Sequence, residues 1–395
     1  MTYVLWAIVW VAGIFVAGWV LRFVGQKINW PKENLNIYFR DVGLTEVSGF
    51  VLGLVAIYYV IVFYFVKESA FFRWAVQGFI IFSIAAFVFH QIGLRVGTEG
   101  TKKLFRQMPL TAAFGIMIIL IYTIMAIFAG AIAPHGQEDI FDKINLLPGG
   151  DVALGGDPRF PLGTDQLGRD LLSRLIYGAQ NTVGIAFVTT LLAFFIGVAV
   201  GFLAAIYAGG WVDQVASRTV DALMAIPQLI FALLLMTIAT AWAGTDKGLI
   251  TLYMILIIAV LDSTRVFRLS RAVGLNIVVM DYIEAAKLRG ENLSYLIFKE
   301  ILPNAYAPLL AEFGLRFCFV FLTIAALSFL GIGIQPPLAD WGTMVRDLSQ
   351  FINFAQFSPL TAALPLMAAG AIALLTVAVN FVVDWMLHRS SGLKE

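Results

Sequence analysis

Residues 181–208 read NTVGIAFVTTLLAFFIGVAVGFLAAIYA, a run without a single charged side chain. A helix rises 1.5 Å per residue, so about 20 apolar residues cross the roughly 30 Å hydrocarbon core of a bilayer. The run is too long for a strand, and inside lipid only a helix satisfies every backbone hydrogen-bonding group within one segment. The stretch therefore predicts a transmembrane helix.

The rest of the chain has the same character. Of its 395 residues, 60% are hydrophobic and 13% are charged, whereas soluble domains have about 45–50% apolar and 25% charged residues. The mean hydropathy is +0.88. The composition and run lengths predict an all-α polytopic membrane protein. Nine apolar runs are candidate membrane helices, at about 3–22, 48–66, 72–93, 110–133, 181–208, 219–243, 249–269, 306–330 and 361–387.

The distribution of Lys and Arg predicts the orientation. The first run, Thr2 to Leu21, lacks the preceding basic residues and the cleavage site of a signal peptide, so we expect a retained helix with its N-terminus outside. With nine crossings, the predicted inside loops hold about twice as many Lys and Arg residues as the outside segments, and this bias favours a cytoplasmic C-terminus. Segment 134–180 is then external, and segment 270–305 is cytoplasmic.

A basic stretch at 94–109 separates two groups of helices. We expect residues 1–109 to form an N-terminal extension of three transmembrane helices that ends in this loop. Residues 110–395 would form a core of six helices. The sequence does not indicate what the extension does.

The predicted cytoplasmic loop contains the stretch 281–303, DYIEAAKLRGENLSYLIFKEILP. Its apolar residues recur at helical spacing on both sides of Gly290, which predicts two short amphipathic helices joined at that glycine. Pro303 is expected to end the second helix, since proline lacks a backbone N–H. Small Ala285 and Ala286 beside Glu284 indicate a helix that enters a groove on another protein.

Several classes of function are disfavoured. The sequence has no G-x-x-x-x-G-K-[ST] phosphate loop, so we expect no direct ATP binding, no enzymatic activity in this chain and an energy source in a partner. The net charge of +1 gives no reason to expect nucleic acid. His90, His135 and His388 are widely separated and predict no metal site.

Several charged residues fall within apolar runs, where charge is costly, and four of them are candidates for a functional role. Glu312 and Arg316 are four residues apart, with the acid first, which is the favourable order for an ion pair on one helix. Asp262 and Arg265 lie near the predicted cytoplasmic end of another run. The sequence leaves two readings open: structural pairing near a cytoplasmic gate, or direct contact with a substrate.

The predicted external segment 134–180 is rich in Asp, Gly and Pro. Its acidic residues do not have the spacing of a calcium-binding loop, and a docking surface for an external binding protein fits the position better. Thr164 or Asp165 is expected to cap a helix. The apolar face of that helix, Leu171, Leu172, Leu175 and Ile176, would lie at the membrane interface.

Three stretches resemble a known family. Glu284-Ala285-Ala286, Gly290 and Leu302-Pro303 match the signature loop of importer permeases of the ATP-binding cassette superfamily. The family pattern expects an apolar residue at the position of Glu300, and this departure resembles the peptide-permease branch. PLGTDQLGRDLLSRLIYGAQNT (161–182) and LSFLGIGIQPPLADWGTMV (327–345) resemble the second permease of oligopeptide, dipeptide and nickel importers. The likeness covers roughly residues 110–388.

The resemblance implies a type I permease core of six helices in a bacterial inner membrane. It implies four other components: a homologous second permease, two cytoplasmic ATP-binding subunits that dock on loop 281–303, and an external solute-binding protein. Peptides are the expected substrate, although related systems carry nickel, opines or oligosaccharides. The alternative is a secondary transporter or channel that needs no ATPase. Such a protein needs a coupling-ion site at mid-membrane, often at a broken helix, and Ala225-Ile226-Pro227 is the candidate break.

Overall fold

The computed structural model describes residues 70–354 and 359–390, together with the isolated residues 16, 18, 19, 52 and 53. The chain divides into two compact units, Met1–Phe79 and Ile80–Glu395. The predicted helices at 3–22 and 48–66, and the predicted orientation of the N-terminus, lie outside the described residues.

The described residues form helices joined by loops, which confirms the predicted all-α class. The helices are α1 Ala70–Arg95, α2 Glu99–Gln107, α3 Leu110–Ile132, α4 Leu171–Gly178, α5 Gly184–Ile206, α6 Trp211–Met224, α7 Gln228–Ala243, α8 Lys247–Val278, α9 Asp281–Leu288, α10 Leu293–Tyr295, α11 Leu302–Phe329, α12 Trp341–Leu348 and α13 Pro359–Ser390. Two π-helical turns, Ala179–Val183 and Leu296–Ile301, connect α4 to α5 and α10 to α11. Two short 3₁₀ turns lie at Val152–Leu154 and Ser349–Phe354.

Within the described part of the chain, six helical segments are long and apolar enough to cross a membrane, or seven if the bent pair α6–α7 is one span. A single helix over 219–243 was the wrong prediction, because α6 and α7 meet at an angle of 90°. The break falls at Ala225-Ile226-Pro227, where proline has no N–H to donate and disfavours helix in the residue before it. α6 is also more polar than a span, with Asp213, Arg218 and Asp221 along it.

α5 and α8 pack closely because glycines line the contact. A methyl group added at Gly197 would lie 2.6 Å from Val266 Cβ, and one added at Gly274 would lie 2.8 Å from Ala205 Cβ. Small residues at such contacts let helix backbones approach each other in a membrane, where van der Waals packing drives association. α8 is also longer than its predicted run, and its last two turns reach into the region expected to be loop.

The core of the second unit is organised around Trp341, which is fully buried at the start of α12. Its ring lies 5.3 Å from Tyr122 on α3 and 6.1 Å from Phe321 on α11, both edge-on. Tyr122 in turn donates a hydrogen bond to the backbone oxygen of Ala371 on α13, at 3.2 Å. One aromatic cluster therefore fixes four helices to each other.

Candidate functional site

The segment 281–303 forms two helical pieces joined by a tight turn, as the sequence predicts. α9 ends in a Schellman motif: Gly290 N–H donates to Lys287 O at 3.0 Å, and Glu291 N–H donates to Ala286 O at 3.2 Å. This motif needs a left-handed residue after the helix, and Gly290 has a φ of +78°. Asn292 then caps the next helix by accepting from Tyr295 N–H at 2.8 Å. We name residues 279–303 the coupling segment, after the role that the sequence resemblance predicts for loop 281–303.

One face of α9 is anchored to the helix bundle. Ile283 is 1% exposed and Ala286 is fully buried. Both pack in an apolar cluster with residues from α5, α8, the π turn before α11 and the start of α11: Phe202, Ile277, Leu296, Ile301, Ala305 and Leu309. Burying large apolar side chains stabilises by about 1.5–3 kcal/mol each. Ala286 therefore faces the protein's own core, whereas its neighbour Ala285 is exposed.

The opposite face of the coupling segment is exposed. Glu284, Ala285 and Lys287 are exposed there, and Leu288 at the end of α9 is 83% exposed. Other large apolar side chains of the same segment are also exposed, namely Val279, Met280, Tyr282 and Phe298. A rigid helix that presents both apolar and charged side chains is suited to seating in a complementary groove.

Pro303 does not end the helix, so that prediction was wrong. The helical path continues from Leu293 to Phe329 as one candidate span. The π turn before Pro303 accommodates the ring by widening the backbone: Leu302 N–H donates to Ile297 O, five residues back. The side chain of Asn304 donates to Glu300 O at 2.7 Å, and this bond supplies a partner to a carbonyl near the proline.

Glu300, where the sequence departs from the family pattern, lies across the turn from α9. Its Oε1 is 4.0 Å from Arg289 Nη2, and Arg289 Nε is 3.5 Å from Glu291 Oε1. Since Arg289 closes α9, the guanidinium links the two pieces of the coupling segment. The polar residue at this position therefore makes an internal contact.

A second cluster joins α7, α8 and α11 inside the bundle. Arg316 Nε lies 2.7 Å from Glu312 Oε1 on the same helix, and Arg316 Nη1 lies 3.7 Å from Asp262 Oδ1 on α8. Asp262 is fully buried, and its other oxygen accepts from Gln228 Nε2 at 2.6 Å. The guanidinium of Arg316 also sits 4.6 Å from the ring centre of Phe319. One buried cation thus holds two carboxylates from two helices.

Gln228 is the member of this cluster that the sequence does not single out. It is the first residue of α7, directly after the Pro227 break. A polar residue immediately after a proline in an apolar run is a usable signal, but its partner on α8 cannot be read from the sequence. Arg265, one turn further along α8, lines a cleft at the break together with Pro227, Gln228 and Thr264. Its guanidinium lies 5.8 Å from the Phe319 ring centre.

A family model described as "Binding-protein-dependent transport system inner membrane component" matches residues 197–391. The di/tripeptide transport system permease protein DppC of Pseudomonas aeruginosa is 34% identical over 241 residues, which are 61% of this chain and 76% of that protein. The dipeptide permease DppC of Haemophilus influenzae is 34% identical over 246 residues, 62% and 80% of the two chains. The glutathione permease GsiD of Pectobacterium atrosepticum is 30% identical over 286 residues, 72% and 87% of the two chains.

The chain belongs to this family of permeases. The matched region contains the coupling segment and the charged cluster around Arg316, so both features lie in the part of the permease that the family shares. The first 196 residues precede the matched region.

Two acidic residues of the segment 134–180, Asp157 and Asp165, are paired with basic residues of the same segment. Asp165 pairs with Arg169 at 2.7 Å. Arg159 and Lys143 donate hydrogen bonds to Asp157 and hold the pKa of that carboxyl well below its usual range. Among the residues that the structure describes, no group of three or more His, Cys, Asp or Glu side chains could hold a metal ion.

The predicted cap of this segment was wrong. Asp170, not Thr164 or Asp165, caps α4 by accepting from Leu172 N–H and Ser173 N–H. Asp165 instead accepts from Leu167 N–H and Arg169 N–H in the turn before the helix. Leu171 and Ile176 are buried inside the protein, so α4 packs within the bundle and does not lie with that face at the membrane interface.

The same segment is fastened to the loop before α12. Trp341 Nε1 donates to Leu175 O at 2.9 Å, and Thr182 donates to Asp340 Oδ1 at 2.8 Å. Burial raises the pKa of Asp340, and its second oxygen accepts from Thr343 N–H at 2.8 Å. These bonds join the two stretches, 161–182 and 327–345, that carry the likeness to peptide permeases.

Proposed function

We propose that this permease is one of two membrane subunits of a bacterial inner-membrane importer of peptides. A homologous permease would complete the path, an external solute-binding protein would deliver the substrate, and two cytoplasmic ATP-binding subunits would supply the energy. The substrate class is supported by the relatives, whose names specify di- and tripeptides, dipeptides and glutathione. The family membership supports the transport role.

The observation that carries the energy coupling is the two-sided construction of α9. Ile283 and Ala286 anchor the helix to the bundle, while Glu284, Ala285 and Leu288 remain exposed on the other face. A helix held in this way transmits the movement of anything bound to its open face. We therefore assign Glu284, Ala285 and Leu288 to contact with the ATPase. Ala286, Gly290, Leu302 and Pro303 would shape the segment that presents them.

A movement of α9 would be transmitted directly to the membrane helices. Only Val279 and Met280 separate α9 from α8. Near its end, Arg271 of α8 donates two hydrogen bonds to Asp213 of α6, at 2.5 and 2.8 Å, and Arg268 donates to Asp221 at 2.7 Å. α6 leads into the bend before Gln228. Displacement of α9 would therefore carry α8 and α6 together and act on the bend.

Such a displacement would change the contacts within the charged cluster around Arg316. Gln228, Asp262 and Arg316 connect three helices at the bend, and Arg265 lines the cleft beside them. We assign Asp262, Arg265, Glu312 and Arg316 to the gate of the translocation path. A rigid-body switch of this kind exchanges one set of contacts between helices for another, and the Arg316–Asp262 ion pair between α11 and α8 is a contact that such a switch would break and remake.

The orientation and the division of the chain follow from the same proposal. The coupling segment must face the cytoplasm if it contacts an ATPase, which puts segment 134–180 outside and the end of α13 inside. Residues 110–395 would be the permease core, and residues 1–109 an extension with additional transmembrane helices.

The test is reconstitution. The permease, its partner permease, the ATPase subunits and the solute-binding protein, taken from the neighbouring genes, are placed in liposomes, and uptake of labelled di- and tripeptides is measured. We expect uptake only when ATP, the ATPase and the binding protein are all present. Uptake by the permeases alone, driven by an ion gradient, would support the secondary-transporter alternative and refute the assigned coupling. A labelled nickel complex and an oligosaccharide serve as substrate controls.

A further inference from the structure

The short helix α2, between α1 and α3, has two distinct faces. Glu99, Lys102, Lys103 and Arg106 are three or four residues apart and share one face. Leu104 and Phe105 lie on the other side and pack with residues of neighbouring helices. α1 ends at Arg95 and α3 begins at Leu110. Because both are candidate spans, α2 lies at the membrane surface on the side where they end.

α2 is held rigidly on the protein. His90 of α1 lies with Nε2 2.9 Å from Phe105 O and 3.2 Å from Met108 O. Trp385 of α13 donates to Gln107 O at 3.3 Å. Gly93 of α1 leaves room for the ring of Phe105, since a methyl group at that glycine would lie 2.3 Å from the ring. The orientation of the charged face is therefore fixed before any ligand binds.

That charged face has an excess of positive charge. Segment 95–107 contains Arg95, Lys102, Lys103 and Arg106 against a single acid, Glu99. Glu99 pairs with Lys102 at 3.1 Å. Within the residues that the structure describes, Lys103 and Arg106 are exposed and are in no ion pair. A fixed group of cations at this level attracts phosphate groups of anionic lipids.

Apolar side chains accompany the cations. Ile92 and Val96 at the end of α1 and Leu110 at the start of α3 are all exposed. Basic residues beside exposed apolar ones are the arrangement of segments that lie in the membrane interface, where acyl chains and headgroups meet. An acidic protein partner would complement the charge of the basic residues, but it would provide no apolar contact for these exposed side chains.

We propose that the basic face of α2, formed by Lys102, Lys103 and Arg106, is a binding site for the headgroup of an anionic phospholipid. Ile92, Val96 and Leu110 would contact its acyl chains.

The test is lipid binding by the purified full-length permease, measured by native mass spectrometry during titration with phosphatidylglycerol. The test variant combines Lys102→Gln, Lys103→Gln and Arg106→Gln. Each basic residue near an anionic surface is expected to strengthen binding by on the order of fivefold, so the triple variant should bind roughly 100-fold more weakly. Phosphatidylcholine binding should not change. A charge-preserving control, Lys102→Arg, Lys103→Arg and Arg106→Lys, should bind phosphatidylglycerol as the parent does.

Glu99→Gln provides a second variant, for which we expect the opposite change in lipid affinity. Removing the only acid on the face should tighten phosphatidylglycerol binding several-fold, and this variant decides the matter if the triple variant fails to fold. Equal phosphatidylglycerol affinity in the parent and the folded triple variant would overturn the proposal. So would full displacement of the lipid by inorganic phosphate, because the face would then be a site for a free anion.

Discussion

Replacing Leu288 by Ala should weaken ATPase docking without affecting the folding of the permease. Leu288 is 83% exposed at the end of α9, so little stabilising contact with the permease is lost when its side chain is shortened. If the proposed docking is correct, nearly all of that side chain becomes buried in the ATPase groove. Truncation to Ala removes three carbon atoms, each worth about 0.8 kcal/mol when buried. The expected loss is about 2 kcal/mol of binding free energy, or roughly 30-fold in Kd.

The measurement is a titration of the permease pair, in nanodiscs, with fluorescently labelled ATPase subunit. The parent and Leu288→Ala proteins should unfold at the same temperature, because the change lies on an exposed face. Leu330→Ala is the matched control: Leu330 is exposed after the end of α11, a helix of 28 residues that is about 40 Å long. That control should bind the ATPase as the parent does.

Two results would refute the reasoning. An ATPase affinity within twofold of the parent in Leu288→Ala would mean that the open face of α9 is not the docking surface. An equal loss of affinity in Leu330→Ala would mean that the effect comes from general destabilisation. The size of the loss also matters, since a much larger effect would indicate that α9 reorganises when the ATPase binds.

Two further predictions concern the turn and the buried charges. Gly290→Pro should abolish ATPase association and transport while membrane insertion stays intact, because the Schellman turn needs a φ of +78° and proline fixes φ near −65°; normal transport by this variant would contradict the coupling role. Arg316→Met should lower the free energy of unfolding by about 3 kcal/mol, since it leaves the carboxylates of Asp262 and Glu312 without their cation. Denaturation in detergent measures this loss, and adding Glu312→Gln to the same protein should recover part of it.

Hydropathy predicted where most spans lie, because the bilayer allows only helices and fixes their length. It was less informative where helices begin and end. Pro303 was expected to stop a helix, yet the helix passes through it by means of a π turn. Pro227, in contrast, does break its run, and the residues before it form the separate, polar helix α6. The same residue type thus has opposite outcomes. At Pro303 the π turn and the Asn304 side chain supply partners to nearby backbone carbonyls, and this compensation depends on local geometry that the sequence pattern does not reveal.

In the coupling segment, some features of the site could be predicted from the sequence and others could not. Gly290 was predictable, since a helix that stops at glycine is a local event set by backbone sterics. The difference between Ala285 and Ala286 was not predictable, because it depends on Phe202 and Leu309, which come from distant parts of the chain and bury one alanine only. Asp262 could be marked as a costly charge, but its partner Gln228 lies 34 positions away. Local chemistry therefore identifies the turn and the charges, and only the packing of α5, α7 and α11 against α8 determines which face of each helix remains free to act.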